Sequence, residues 1–148
     1  MSVLQVSKIK PNAVVPARAT QGSAGYDLSA CLAEPLRLPG GERVLVPTGI
    51  AVALPENAVG LVFGRSGLAT KHGISPSNAV GVIDSDYRGE IFVPLSNHSP
   101  KDYQIEPGER IAQLVVVPIE TPEIALCEQL PETQRGEGGF GSTGRGGR

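Results

Sequence analysis

Glycine and proline punctuate this chain from end to end. Nineteen glycines and 13 prolines in 148 residues are spread along the sequence rather than gathered in one linker. Proline removes a helical hydrogen bond and glycine raises the entropic cost of ordering the backbone, so long helices are excluded. The apolar stretches left between them are short and turn-bounded: residues 3–9, 36–38, 43–46, 50–54, 59–63 and 111–117. Turns recur about every 8 to 12 residues, the interval of a sandwich or barrel, and no strand–helix–strand alternation points to a parallel dinucleotide-binding sheet. An all-β fold is expected. A single domain of this length buries about 68–70% of its unfolded surface, enough for a true core.

Charge and cysteine usage narrow the function classes. The net charge of −2 supplies no field for nucleic acid or an anionic membrane, so any anion must be met locally. No apolar run approaches the ~20 residues of a membrane span, and the first ten residues lack a signal-peptide core. An intracellular, cytoplasmic setting is expected, in which the Asn97-His98-Ser99 sequon has no role. Cys31 and Cys127 sit among Ala and Leu and are expected as buried reduced thiols, not a disulfide or metal site.

The richest stretch runs Ser77-Asn78-Ala79-Val80-Gly81-Val82-Ile83-Asp84-Ser85-Asp86-Tyr87-Arg88-Gly89-Glu90. Apolar pieces at 79–83 and 91–95 flank a polar tip, the pattern of a β-hairpin with an extended loop. The tip offers a base in Asp84, a second carboxylate in Asp86, an aromatic face in Tyr87 and a cation in Arg88; Asp, Ser and Gly are equally the residues of a solvated turn.

Three other places carry chemistry. Asp27 stands alone among small residues in Gly22-Ser23-Ala24-Gly25-Tyr26-Asp27, where it either ties down a turn or holds a cation, an Arg or a water. Strand 59–63 runs into Gly64-Arg65-Ser66-Gly67, and Ser66 is expected to cap a short helix closed by Gly73. Free N–H groups at its start, beside Arg65, make either an anion site or a plain capped turn. Gln113 is the one polar interruption of a strand expected to be buried on both faces, and an unpaired buried amide costs about 1–3 kcal/mol, so it must pair with backbone or with a ligand.

Composition changes at Glu132. Residues 132–148 contain Phe140 as their one large hydrophobe and are expected to form a flexible glycine-rich arm beyond a domain at 1–131. Gly136, Gly138 and Gly141 fit G-x-G-x-x-G, but no strand precedes them and no helix can follow, which removes the dinucleotide reading. Such an arm either closes over a phosphate with its backbone amides or binds RNA weakly as an Arg/Gly tail.

Taken in order, five pieces resemble the five motifs of the trimeric deoxyuridine triphosphatases (dUTPases). They are Ala24-Gly25-Tyr26-Asp27-Leu28, Arg65-Ser66-Gly67-Leu68-Ala69, Gly81 to Gly89, Gly108-Glu109-Arg110-Ile111-Ala112-Gln113, and the arm from Arg135 to Gly144. The likeness implies a jelly-roll-like distorted β-barrel, a homotrimer with active sites at subunit interfaces, and hydrolysis of dUTP to dUMP and pyrophosphate. That activity limits uracil incorporation into DNA and supplies dUMP for thymidylate synthesis.

The resemblance also implies roles. Asp84 would orient and activate the water that attacks the α-phosphorus; Tyr87 would pack on the deoxyribose and exclude a 2′-hydroxyl. The backbone around Gly81 and Val82, with Asn78, would read the uracil edge. Arg65, Ser66, Gly67 and Gln113 would hold the phosphates, while Arg135, Gly141, Ser142 and Thr143 would close on them and Phe140 would lie over the uracil. Mg²⁺ would be bound by the triphosphate and water with no direct protein ligand, Asp27 being at most an outer-shell partner or an anchor. Gly64 stands where many relatives carry Pro, and Tyr26 replaces a more usual aliphatic residue. A dCTP deaminase of the same architecture and a non-catalytic nucleotide- or RNA-binding module are the competing readings.

Overall fold

The structure is a computed structural model that describes residues 3–139. Eleven strands and one short helix follow in order: β1 (Gln5–Lys8), β2 (Tyr26–Ser29), β3 (Leu36–Leu38), β4 (Arg43–Pro47), β5 (Ile50–Ala53), β6 (Ala58–Phe63), α1 (Ser66–His72), β7 (Ile74–Pro76), β8 (Gly81–Ile83), β9 (Phe92–Asn97), β10 (Tyr103–Ile105) and β11 (Arg110–Pro118). They pair, always antiparallel, as a four-stranded sheet β2-β11-β6-β8, a three-stranded sheet β4-β9-β7, and the two-stranded ribbons β1-β5 and β10-β3. The all-β jelly-roll-like expectation holds, the seven-residue α1 being the one helix among the described residues.

Period-two burial builds one core between the sheets. Along β9, Val93, Leu95 and Asn97 are buried while Phe92, Pro94 and Ser96 are not; along β6, Ala58, Gly60 and Val62 are buried and alternate with half-buried Val59, Leu61 and Phe63. Leu28, Val62 and Leu114 of the larger sheet join Val46, Ile74, Val93 and Leu95 of the smaller in a single cluster.

One irregularity matters for everything outside that core. The register of β11 on β2 shifts between Arg110 and Ala112. In an unbroken strand Arg110 would share the inward face of Ala112; the bulge buries Ile111 and Ala112 together and leaves Arg110 exposed, on the outer side with half-buried Gln113. The expectation that 111–117 is buried on both faces is thus met only in part, since Val115, Val116 and Val117 are half-buried.

Three expectations are corrected. The stretch 79–95 is not a hairpin: β8 pairs with β6 and β9 pairs with β4 and β7, so the 84–91 loop passes from one sheet to the other. Flanking apolar pieces match a hairpin in pattern, but each strand finds a longer apolar partner elsewhere. Ser66 is not the helix cap. Arg65 takes that place with extended φ/ψ and no side-chain cap bond, and Ser66 is the first helical residue, whereas Gly73 closes the helix in the left-handed region as expected. Cys127, within residues 119–130 that form no strand, is exposed, while Cys31 is buried as expected. Once the chain leaves β11 at Pro118 no element among the described residues covers it, and Ile124 and Leu126 are fully exposed.

Asn97 shows how the core tolerates a polar group. It is 2% exposed; its amide donates to the carbonyls of Leu38 (3.1 Å) and Lys101 (2.8 Å), and its side-chain oxygen accepts from the Ser99 N–H (3.0 Å). Burial at this level also removes the sequon from glycosylation. Asn97→Ala strands three backbone groups and should lower the unfolding free energy by about 2–4 kcal/mol in urea titrations at fixed protein concentration; a loss under about 0.5 kcal/mol, the range of a neutral surface change, would show that these bonds are replaced by water.

Candidate active site

A cleft of about 500 Å³ opens on the outer face of the four-stranded sheet, bounded by Ser23, Ala24 and Gly25, by Asp27, by Arg65 to Leu68, by Lys71 and His72, and by Gln113. Its floor is a register row: Gln113 of β11 stands opposite Asp27 of β2 on one side and Phe63 of β6 on the other. Three strands that are distant in sequence therefore bring a carboxylate, an amide and the start of the Gly64-Arg65 turn together.

Asp27 holds two cations. One carboxylate oxygen faces Arg65 Nε at 3.5 Å, the other accepts from Arg110 at 3.1 Å, and Arg65 also donates to the Arg110 carbonyl at 3.1 Å. Half-exposed ion pairs of this kind contribute only about 0–1 kcal/mol to stability; their effect is to orient the Arg65 guanidinium, which lines the cleft, while Arg110 holds the other oxygen of the same carboxylate. Of the open readings for Asp27, holding an Arg is the one the structure supplies. Arg110 was not singled out from sequence, although it stands in the fourth motif, because its outward position depends on the bulge.

Gln113 resolves the buried-amide problem through backbone. Its Nε2 donates to the Gly64 carbonyl at 2.9 Å, fixing the turn that presents Arg65. A Cβ on Gly25 would lie 2.6 Å from Gln113 Oε1 and 3.1 Å from its Cβ, so a glycine is needed there for the amide to lie flat. Beside it, Ser66 and Gly67 are exposed at the start of α1, where the first N–H groups lack intrahelical acceptors. Arg65, Ser66, Gly67 and Gln113 thus line one cleft, with Lys71 and His72 as further cleft residues that sequence reasoning missed; no spacing signal marks them.

The second set of candidates lies elsewhere. Val82, Ile83, Asp84, Tyr87, Glu90, Ile91 and Phe92 line a separate hollow of about 210 Å³, with Asn78 beside Gly81, its Nδ2 3.6 Å from where a Gly81 Cβ would stand. Asp84 is exposed and its carbonyl accepts from the Tyr87 N–H at 3.1 Å. Tyr87 donates its hydroxyl to the Glu90 carbonyl at 2.9 Å, and its ring lies over Gly89, where any Cβ would overlap it. Arg88 donates to the carbonyls of Ser85 (2.7 Å) and Tyr87 (2.9 Å), closing the loop on itself. Within one chain, then, the Asp84–Tyr87 group and the Arg65–Gln113 group do not share a cavity. Arg135 is exposed and lines neither, and Phe140, Gly141, Ser142 and Thr143 lie outside the described residues.

Behind the cleft, the ring of His72 packs on that of Tyr103 with centroids 4.9 Å apart, and Tyr103 donates its hydroxyl to Glu109. Burial, then this bond to a carboxylate, raises the Tyr103 hydroxyl well above its ordinary pKa. It is protonated at neutral pH, serving as a brace rather than an acid.

The family model of dUTPase matches residues 11–144. The chain belongs to the dUTPase family. Among dUTPase relatives, the deoxyuridine 5′-triphosphate nucleotidohydrolase of Idiomarina loihiensis is 50% identical over 132 residues, 88% of this chain and 87% of that one. That of Oryza sativa subsp. japonica is 49% identical over 142 residues, 96% and 81% of the two chains. The dUTPase of Staphylococcus bacteriophage 80alpha, solved with dUpNHpp, matches with a TM-score of 0.89 at 34% identity, covering 97% of this chain and 99% of that one. A mutant dUTPase from phage phi11 of S. aureus, whose structure reveals coordination of a structural Mg(II) ion, matches with a TM-score of 0.78 at 31% identity over 86% and 97% of the chains.

In this dUTPase-family cleft the Gly25–Gln113 contact is testable by stability alone. Gly25→Ala pushes the amide off Gly64 and should cost about 1–2 kcal/mol in denaturant unfolding, with little further loss when Gln113→Ala is added. Additive losses in the double variant would mean that the two residues are not coupled.

Proposed function

We propose that this chain is a dUTP nucleotidohydrolase, releasing dUMP and pyrophosphate as water attacks the α-phosphorus, and so limiting uracil incorporation into DNA and supplying dUMP for thymidylate synthesis. The observation that carries the reading is the cleft in which Arg65, Gln113 and the free N–H groups opening α1 converge, in a chain whose relatives at about half identity are deoxyuridine triphosphate nucleotidohydrolases. A polyanion entering it meets the Arg65 guanidinium already oriented by Asp27, and preorganised charge of this kind acts on a transferring phosphoryl group without reorganisation.

Asp84 is the proposed base. A carboxylate abstracts protons only weakly, so its value lies in orienting the water and accepting charge as the bond forms. Tyr87, held over Gly89 and by Glu90, presents a fixed face to the sugar. Val82 lines the same hollow, Gly81 precedes it on β8 with Asn78 alongside, and the three read the uracil edge by hydrogen bonds. Cytosine is rejected strongly because its exchanged donors and acceptors leave buried groups unpaired. Arg135, Gly141, Ser142 and Thr143 of the arm close on the phosphates and Phe140 covers the base, a gating step.

Mg²⁺ fits this donor set as an ion carried by the substrate. Asp27 is committed to Arg65 and Arg110, and among the described residues no three His, Cys, Asp or Glu side chains gather around a common point. Triphosphate oxygens and water would be its ligands, and the ion would neutralise the triphosphate charge.

A homotrimer with shared sites accounts for two features. The catalytic and phosphate groups occupy separate hollows of one chain, and residues 119–130 carry Ile124, Leu126 and Leu130 uncovered. A neighbouring copy that brings the two hollows together and covers that segment satisfies both. Among the described residues no helix is long and apolar enough to cross a membrane, and a cytoplasmic setting is part of the same proposal.

The test is pyrophosphate release with Mg²⁺ from dUTP, dCTP, dTTP and UTP in parallel. Release selective for dUTP is expected; ammonia from dCTP would replace the reading with a deaminase, and silence on all four with a binding module. Asp84→Asn should lower kcat by about 10²–10⁴-fold with dUTP still bound. Truncation before Arg135 should remove most turnover and leave the three-chain particle intact by light scattering; dissociation on truncation would overturn the placement of the arm.

A further inference from the structure

The catalytic loop between β8 and β9 is fastened at one point that the reaction as described does not use. Glu90 leaves that loop with its side chain only 13% exposed, unusual for a carboxylate at the edge of a turn. Its Oε1 accepts from the Gly49 N–H at 2.8 Å and lies 3.7 Å from Lys10 Nζ. Its backbone carbonyl, at the same time, accepts the Tyr87 hydroxyl at 2.9 Å. One residue thus joins the sugar-facing ring to the β4–β5 turn.

That turn is a rigid post. Gly49 sits at φ +69° with Cys31 Sγ only 2.6 Å from the position of a Cβ, so the backbone is wedged against the core. Its carbonyl accepts from the N–H groups of Ile9 (2.7 Å) and Lys10 (3.2 Å). Immediately after Glu90, the Ile91 N–H donates to the Ile50 carbonyl at 2.9 Å, and Thr48, itself buried, donates its hydroxyl to the Ile91 carbonyl at 2.6 Å. The exit of the loop is therefore fixed on both sides of the turn, while Arg88 and the Asp84–Tyr87 bond fix only the loop to itself.

From this we infer that Glu90 is a positioning residue that sets how strictly the site distinguishes deoxyribose from ribose. The inference rests on the proposed contact of Tyr87 with the sugar. Exclusion of a hydroxyl by a ring is steric, and it lasts only while the ring cannot retreat. With the Glu90 carboxylate removed, the Gly49 N–H loses its acceptor, the loop exit gains freedom, and Tyr87 yields to a 2′-hydroxyl. The Lys10 contact, longer and half exposed, adds little.

The experiment compares Glu90→Ala, Glu90→Gln and Lys10→Met with the unaltered protein by two readouts: the ratio of kcat/KM for dUTP to that for UTP, and amide hydrogen exchange at Gly49. Glu90→Ala is expected to lower the ratio about tenfold, chiefly through KM for UTP, and to expose the Gly49 amide to exchange. Glu90→Gln, whose amide oxygen still accepts from Gly49, should recover both, and Lys10→Met should keep the ratio. Should Glu90→Ala fail to fold, Glu90→Asp, one methylene short of Gly49, takes its place. An unchanged ratio with an unprotected Gly49 amide overturns the inference, as does a Gln variant as deficient as Ala. If the unaltered protein releases no pyrophosphate from dUTP, the functional reading falls and the selectivity role with it, while the exchange measurement still decides the anchor.

Discussion

The pairing of β11 with β2 on one edge and β6 on the other is the constraint on which the molecule depends. That single strand fixes the four-stranded sheet, places Leu114 in the core, and lines up Asp27, Gln113 and Phe63 in one outward row. A shift of one residue would turn Gln113 into the core and Leu114 out of it, so the burial pattern locks the register. The bulge at Ile111 then adds what a regular strand cannot, a cation on the same side as the amide.

Electrostatics in this protein serves orientation more than stability. Asp27, Arg65 and Arg110 remain partly exposed, and their pairs are worth little against a core of about twenty buried apolar residues, whose Val, Leu and Ile side chains each contribute about 1.5–3 kcal/mol on burial. What the cluster supplies is direction. The same division appears at the other hollow, where Gly89 gives Tyr87 a flat seat, Glu90 tethers it, and Asp84 is left exposed. Both functional groups stand on strand ends or loops braced by the core, which is where precise placement is obtained at least entropic cost.

Burial also explains where the single chain looks incomplete. Leu126 and Ile124 are fully exposed on a segment with no strand partner, against a core in which Leu38, Ile50, Leu95 and Ile105 show no exposed surface. The contrast is too sharp for a chain that has merely run out of core. It accords with a proposed assembly in which neighbouring copies complete both the cover and the site.

Sequence alone determined the class of fold and the residue types of the site. Glycine and proline spacing forbids long helices, period-two alternation sets which residues of β6 and β9 face inward, Gly73 ends α1, and five motifs in order mark the family. These are local signals, legible because backbone sterics and strand periodicity act over a few residues. Tertiary structure decided the rest: that β8 and β9 join different sheets, that Arg65 rather than Ser66 caps α1, that Arg110 faces outward, and that Glu90 reaches Gly49 across 41 positions. Each depends on which distant strand offers the better apolar partner or the nearest unpaired N–H, a choice made by the whole core and written in no short stretch of sequence.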